Sequence, residues 1–199
     1  MTLLCLDGSR RPTAMKKCLI AIGIVALLLV PVAATACGDS GSHGNRVAVM
    51  DTSMGTIRFV IYEDKAPMTA VNFITLAEFG FYNGLIFHRV DRDYVIQTGD
   101  PTGTGMGGSK ASVPLEINEK LKHNDGAVGM ARTSDPNSAT SQFYICDGAH
   151  HNLDGSYAVF GQVIEGMEVV RAIAAVPVDR NDKPLQAVVV IRITIQPPG

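Results

Sequence analysis

Between Phe87 and Asp100 the chain reads Phe-His-Arg-Val-Asp-Arg-Asp-Tyr-Val-Ile-Gln-Thr-Gly-Asp, which sets one arginine, Arg89, close to a short apolar run with the amide of Gln97 behind it. Tyr94, Val95 and Ile96 read as the start of a strand, because aromatic and β-branched side chains suit a pleated, half-buried surface. Alternate side chains on a strand share a face, so Val95 and Gln97 point one way and Tyr94 and Ile96 the other. Arg89 precedes a polar Asp91-Arg92-Asp93 turn and can fold back over the strand that follows. A cation above an apolar floor, oriented by a neutral amide, makes a reaction site. The plain alternative is a surface arginine beside an ordinary strand, and only context separates the two.

Other chemistry-bearing residues are weaker. Gly103 to Gly108 matches G-x-G-x-x-G, but no helix follows and Pro114 interrupts soon after, so a mobile surface loop is expected rather than a dinucleotide site. Cys146 sits in an apolar strand with no histidine–acid pair placed by sequence to activate it, and reads as a small buried hydrophobe. His150 and His151 are neighbours that point apart and chelate poorly. The four cysteines form neither a metal spacing nor a disulfide framework. No metal and no cofactor are expected.

The 199 residues support one ordinary domain, and a net charge of -2 gives no footprint for nucleic acid or an anionic membrane surface. The first 37 residues read as a leader, with Met15 the more natural start. Lys16 and Lys17 form a basic region, Leu19 to Val30 an unbroken apolar run, and Ala34-Thr35-Ala36 the small residues of a secretory cleavage site. The run is short of the roughly 20 residues of a spanning helix. Cys37, directly after them, resembles the lipidated cysteine of a bacterial lipoprotein, although alanine replaces leucine at the first position of that motif. Lipidation, simple cleavage and an uncleaved anchor stay open. The chain is therefore expected in the periplasm or cell envelope, touching a membrane only through such an anchor. Residues 38–45 are small and polar and read as a linker, His43 included. The folded domain is expected over 46–199, as a monomer.

Within it, Val47–Met50 and Thr56–Tyr62 read as a hairpin around Ser53-Met54-Gly55, with Ile57, Phe59 and Ile61 on one face. Pro67 opens a helix whose stripe includes Ala70, Val71, Phe73, Ile74, Ala77 and Phe79, and Gly80 stops it. Strands follow at 127–132, 141–146, 158–163 and 187–195. A second helix after Gly166 places Met167, Val170, Ile173 and Ala174 on one face. Many strands, two distant helices and no βαβ rhythm predict a mainly β protein, a closed antiparallel barrel with helices over its ends.

Five pieces in this order resemble the cyclophilin-type peptidyl-prolyl isomerases, in a bacterial, exported form: Phe87-His88-Arg89-Val90; Gln97-Thr98-Gly99-Asp100; Gly129-Met130-Ala131; Ser141-Gln142-Phe143-Tyr144-Ile145; and Leu153-Asp154-Gly155 with Val159-Phe160-Gly161. They span roughly residues 46–195. The resemblance implies eight strands, two capping helices, and rotation of X–Pro amides in proline-containing polypeptides, assisting the folding of exported proteins. It makes Arg89 the catalytic arginine and Gln97 the amide that orients it and contacts substrate. Tyr94, Val95, Tyr144 and Leu153 match the proline pocket, with Phe143 packed behind it. Gln142 and the backbone of Ala131 and Arg132 match positions that hold the substrate main chain. The departures are Tyr94 and Tyr144 for phenylalanine, Val95 for methionine, Arg132 for asparagine, Asn152 for tryptophan and Tyr157 for histidine. The missing tryptophan implies weak cyclosporin binding. Two rival readings are a proline-binding module without turnover, which the presence of Arg89 argues against, and a lipocalin-like carrier, which would need a hollow interior.

Overall fold

A computed structural model describes residues 44–198. The first hairpin pairs β1 (Val47–Thr52) with β2 (Gly55–Ile61), Thr52 opposite Gly55. Gly55 takes φ +134°, which an L side chain rarely adopts, and the Thr52 hydroxyl donates to its carbonyl at 2.6 Å. Ile57, Phe59 and Ile61 are all fully buried, as their alternation predicts.

Helix α1 (Pro67–Glu78) starts on a proline, whose missing N–H would have no helical partner there. The orphan N–H groups of Met68 and Thr69 instead donate to the Glu116 carboxylate, at 3.0 and 2.6 Å. Gly80, at φ +70°, ends the helix, and the Phe81 N–H closes back onto the Leu76 carbonyl at 2.9 Å. The apolar stripe is narrower than the sequence suggests. Ala70, Phe73, Ile74 and Ala77 are buried, but Val71 is 56% exposed and Phe79 85%, because they fall on the outward side of the turn.

The remaining elements are β3 (Arg89–Asp91), β4 (Val95–Thr98), β5 (Ala127–Met130), β6 (Phe143–Cys146), β7 (Val159–Glu165), α2 (Met167–Ala174) and β8 (Val190–Gln196). All pairings are antiparallel, and the strand order is β3-β4-β6-β5-β7-β2-β1-β8. The interior packs rings around Phe73, which α1 contributes. Its centroid lies 5.5 Å from Phe59, 5.3 Å from Tyr82, 5.3 Å from Phe143 and 5.2 Å from Phe160. Helix α2 packs on β2, β3 and β4 through a face that buries Val170, Ile173 and Ala174.

The expected closed barrel does not form; the sheet is open, with edges β3 and β8. The segment before β3 is tied to the start of β8 by an Ile86–Val189 bridge and by three backbone hydrogen bonds, Phe87 N–H to the Val188 carbonyl at 2.9 Å, Val190 N–H to the Leu85 carbonyl at 2.7 Å and Gly84 N–H to the Val190 carbonyl at 2.8 Å. Opposite β3 itself lies a turn, Asp179–Lys183, closed by a Val178–Pro184 bridge. That turn donates no strand, but the Asp182 carbonyl accepts from Val90 N–H at 2.7 Å. The incomplete seam therefore brings Asp182 beside β3.

Candidate active site

The β3–β4 hairpin sets Arg89 directly opposite Gln97 in register. Its turn puts Asp93 at φ +57°, a left-handed conformation that aspartate tolerates better than most side chains. On β4, Ile96 points into the main core while Val95 joins a second apolar cluster on the opposite face of the sheet. That second cluster contains Val95, Ala127, Tyr144, Cys146, Leu153 and Val159, with Tyr94, Ala131 and Tyr157 packed on it. A cavity of about 130 Å³ opens there, lined by Arg89, Tyr94, Val95, Gln97, Ala131, Arg132, Tyr144, Leu153 and Tyr157. Nine of the eleven residues singled out from the sequence thus share one cavity.

The other two are placed differently. Phe143 is fully buried in the main core and lines neither this cavity nor its neighbour, because its side chain alternates with that of Tyr144. Gln142 lines a second cavity of about 340 Å³, formed against the glycine loop and also bordered by Gln97, Ala131 and Arg132. Cys37 lies outside the described residues, as do the leader and most of the linker.

Arg89 is oriented by carboxylates and not by Gln97. Its Nη2 meets Asp91 Oδ2 at 2.9 Å and its Nε lies 4.0 Å from Asp182 Oδ2, with the guanidinium 5.6 Å from the Tyr94 ring centre. The Gln97 amide instead donates to Gln142 Oε1 at 2.8 Å. Gln142 in turn donates to the carbonyls of Gly105 and Gly107, at 2.9 and 2.7 Å. The two glutamines form one chain that ties β4 and β6 to the glycine loop. Arg89 stays 38% exposed at the cavity wall, charged and able to donate.

That loop, expected to be mobile, is wrapped around Asp100. The buried carboxylate accepts the N–H groups of Thr102, Thr104 and Gly105 at 2.7, 3.0 and 2.6 Å. Burial alone would raise its pKa, but the Thr102 and glycine donors outweigh that and hold the carboxyl far below the usual range. The glycines serve close packing: a Cβ at Gly107 would collide with Asp100 Oδ1. The G-x-G-x-x-G match is thus a carboxylate cradle, which a motif search reads as a phosphate loop.

The floor of the smaller cavity rests on a second buried network that the sequence did not flag. His123 is fully buried; its Nδ1 meets Asp154 Oδ1 at 2.8 Å and its Nε2 the Tyr144 hydroxyl at 2.9 Å. With the carboxylate accepting from Nδ1–H, Nε2 is left to accept from the tyrosine. Burial lowers the His123 pKa against the pull of Asp154, and burial raises that of Tyr144 well above its ordinary value. Asp154 itself is held at about 2, burial being outweighed by His123 and His151. Gly129 lies under the same ring, where a Cβ would come within 2.5 Å of Tyr144. The signal for this network was available: Tyr144 stands where a phenylalanine is common in the resembled family, and a buried hydroxyl needs a partner. Cys146 is buried, and its thiol is pushed up to about 12 by burial. Among the described residues no group of three His, Cys, Asp or Glu could hold a metal ion, and no helix is long and apolar enough to cross a membrane.

An eight-stranded antiparallel sheet with two helices, carrying an arginine beside an apolar cavity on its outer face, is a cyclophilin fold. Comparison with known proteins bears this out. The family model for cyclophilin type peptidyl-prolyl cis-trans isomerases matches residues 47–195. The chain is 41% identical over 154 residues to peptidyl-prolyl cis-trans isomerase-like 1 of Aspergillus fumigatus, covering 76% of this chain and 96% of the relative. It is 36% identical over 149 residues to peptidyl-prolyl cis-trans isomerase CYP18-2 of Arabidopsis thaliana, covering 73% and 91%. A crystal structure of a Cryptosporidium parvum cyclophilin type isomerase, solved in the presence of the dipeptide Ala-Pro, superposes with a TM-score of 0.73 at 33% identity, covering 75% of this chain and 98% of that one. The chain belongs to the cyclophilin-type peptidyl-prolyl cis-trans isomerase family.

Proposed function

We propose that this isomerase accelerates X–Pro rotation by stabilising the twisted amide with Arg89. Resonance sets a barrier of about 18–20 kcal/mol for a peptide bond. Twisting breaks that resonance, so the prolyl nitrogen becomes pyramidal and gains a lone pair. A guanidinium donating to that nitrogen helps only if the bond is stronger in the twisted state than in the planar one. The observation that carries this reading is the position of Arg89 at the wall of an apolar cavity formed by Tyr94, Val95, Tyr144 and Leu153. In it the prolyl ring sits in that cavity while the far side of the amide turns; a related cyclophilin-type isomerase was solved in the presence of the dipeptide Ala-Pro. Asp91 and Asp182 hold the guanidinium in place without removing its charge.

Exchange NMR on an Ala-Pro peptide tests this with the full chain. Arg89→Ala is expected to lower kcat/KM by on the order of 10²–10³-fold, as loss of a transition-state donor does. Because the side chain is part-exposed, folding stability should change by less than about 1 kcal/mol. Undiminished turnover in the variant would sink the arginine mechanism.

We further read the substrates as exported polypeptides, whose X–Pro bonds rotate slowly enough to limit folding. The support is in residues 15–37: two lysines, an apolar run, small residues and Cys37. If Cys37 is lipidated, the full chain partitions into the detergent phase and Cys37→Ser moves it to the aqueous phase. Equal partition of the two would leave a cleaved or uncleaved leader without lipid.

A further inference from the structure

Arg132 lines both cavities. Its guanidinium is fixed by neutral groups only. Nε donates to the Ser156 carbonyl at 2.9 Å, Nη1 donates to the Thr133 carbonyl at 2.8 Å, and the group lies 4.6 Å from the Tyr157 ring centre. Nη2 makes no hydrogen bond to any described residue, and no carboxylate of the described residues pairs with this arginine. Arg89 differs, because Asp91 and Asp182 balance its charge. Among the described residues no acidic side chain lines either cavity: the charged lining residues are Arg89 and Arg132 in the smaller and Arg132 alone in the larger.

An arginine held by two carbonyls and an aromatic face has lost most of its rotamer freedom already, so it binds an anion with little further ordering. Its free edge offers the forked N–H geometry that suits a carboxylate. A polypeptide with its prolyl ring in the smaller cavity and its continuation along the larger must pass Arg132. Two extended residues span about 7 Å, so a side chain adjacent to the proline or one residue further is within reach.

We propose that Arg132 makes this isomerase selective for X–Pro segments that carry an acidic side chain within two residues of the proline, the carboxylate binding the free edge of the guanidinium. The inference rests on the isomerase reading above, with the prolyl ring in the smaller cavity. The competing role for Arg132 is purely supportive, as a brace between Thr133, Ser156 and Tyr157.

Four peptide pairs decide it. Each pair places Glu or the near-isosteric Gln at one of the two positions on either side of proline, and exchange NMR reads kcat/KM with the full chain. A Glu/Gln ratio of about three to five is expected at one position or more at low salt, the size of effect that a part-exposed pair gives. The ratio should approach one in about 1 M NaCl, where the screening length is near 3 Å. It should also fall to one in Arg132→Gln, while Arg132→Lys keeps part of it. A ratio of one at all four positions in the parent would overturn the selectivity while leaving the isomerase intact. A preference that survives Arg132→Gln would overturn it as well. Failure to accelerate any of the eight peptides would instead remove the isomerase reading itself.

Discussion

The two faces of the sheet solve different problems with similar residues. Inside, Phe59, Phe73, Tyr82, Phe143 and Phe160 are fully buried and contact one another through their rings, and the one polar atom among them, the Tyr82 hydroxyl, reaches the Ser141 carbonyl at 3.2 Å. Outside, Val95, Tyr144, Leu153 and Val159 also form an apolar cluster, but it is threaded with charge and ends in an open cavity. Arg89, Arg132, His123 and Asp154 border or underlie it: Arg89 is paired with Asp91, Arg132 is held by carbonyls, and the neutral His123 is hydrogen-bonded to the Asp154 carboxylate. The interior gains its stability by excluding water from rings. The outer face uses a smaller apolar cluster to hold a few polar groups in fixed positions, and leaves space for a substrate.

Cutting the interior should therefore cost stability, with chemistry following only through unfolding. Phe73→Ala removes the ring that touches four others and leaves a cavity, which costs about 3–5 kcal/mol for a buried phenylalanine. Urea unfolding at neutral pH measures this, with turnover normalised to the folded fraction. A loss below about 1 kcal/mol would mean that α1 is not locked to the sheet by this ring. Turnover per folded molecule that fell as steeply as stability would break the separation of the two faces.

The sequence made the interior legible where one face of an element is wet. Ile57, Phe59 and Ile61 alternate with part-exposed neighbours, and Pro67 and Gly80 bracket α1 because proline and glycine have backbone reasons to sit there. Legibility failed where both faces are buried. Strands β5 and β6 are buried at every position, so alternation could not say that Phe143 faces inward and Tyr144 outward. Their adjacency alone excluded both from lining one pocket. The motif residues found the site because most of its lining comes from short local pieces. Its electrostatics were hidden, since Asp182 and His123 reach Arg89 and Tyr144 only through the folded chain. The open seam was hidden for the same reason: only the folded chain shows that a turn, and no strand, meets Val90 of β3.

The comparison also has a pH signature, smaller than the cavity effect. One buried histidine, His123, underlies the outer face, and a second, His88, is buried beside Asp100. Burial lowers the pKa of His123, with Asp154 pulling the other way and His150 and His151 nearby. Burial likewise lowers that of His88, which sits with Asp100, Lys183 and Arg89 around it. In the unfolded chain both titrate near 6.5. Below that value the unfolded state binds protons that the folded state refuses, so stability falls with falling pH. The contribution is complete above about pH 6.5 and is lost as pH drops towards the folded values. Asp154 acts in a separate window: its folded value of about 2 means that its contribution disappears only below the ordinary carboxylate range. Urea midpoints at pH 7.5, 6.5 and 5.5 should decline, by at most about 1.4 kcal/mol per pH unit for each histidine. NMR of the folded protein should show the His123 ring still neutral at pH 6.5, with Nε2 accepting from Tyr144. A ring already protonated there would require Tyr144 to accept instead of donate, and the cavity floor would be held by an imidazolium between a carboxylate and a hydroxyl. In that case the outer face would be stabilised by acid and the sign of its pH dependence would reverse.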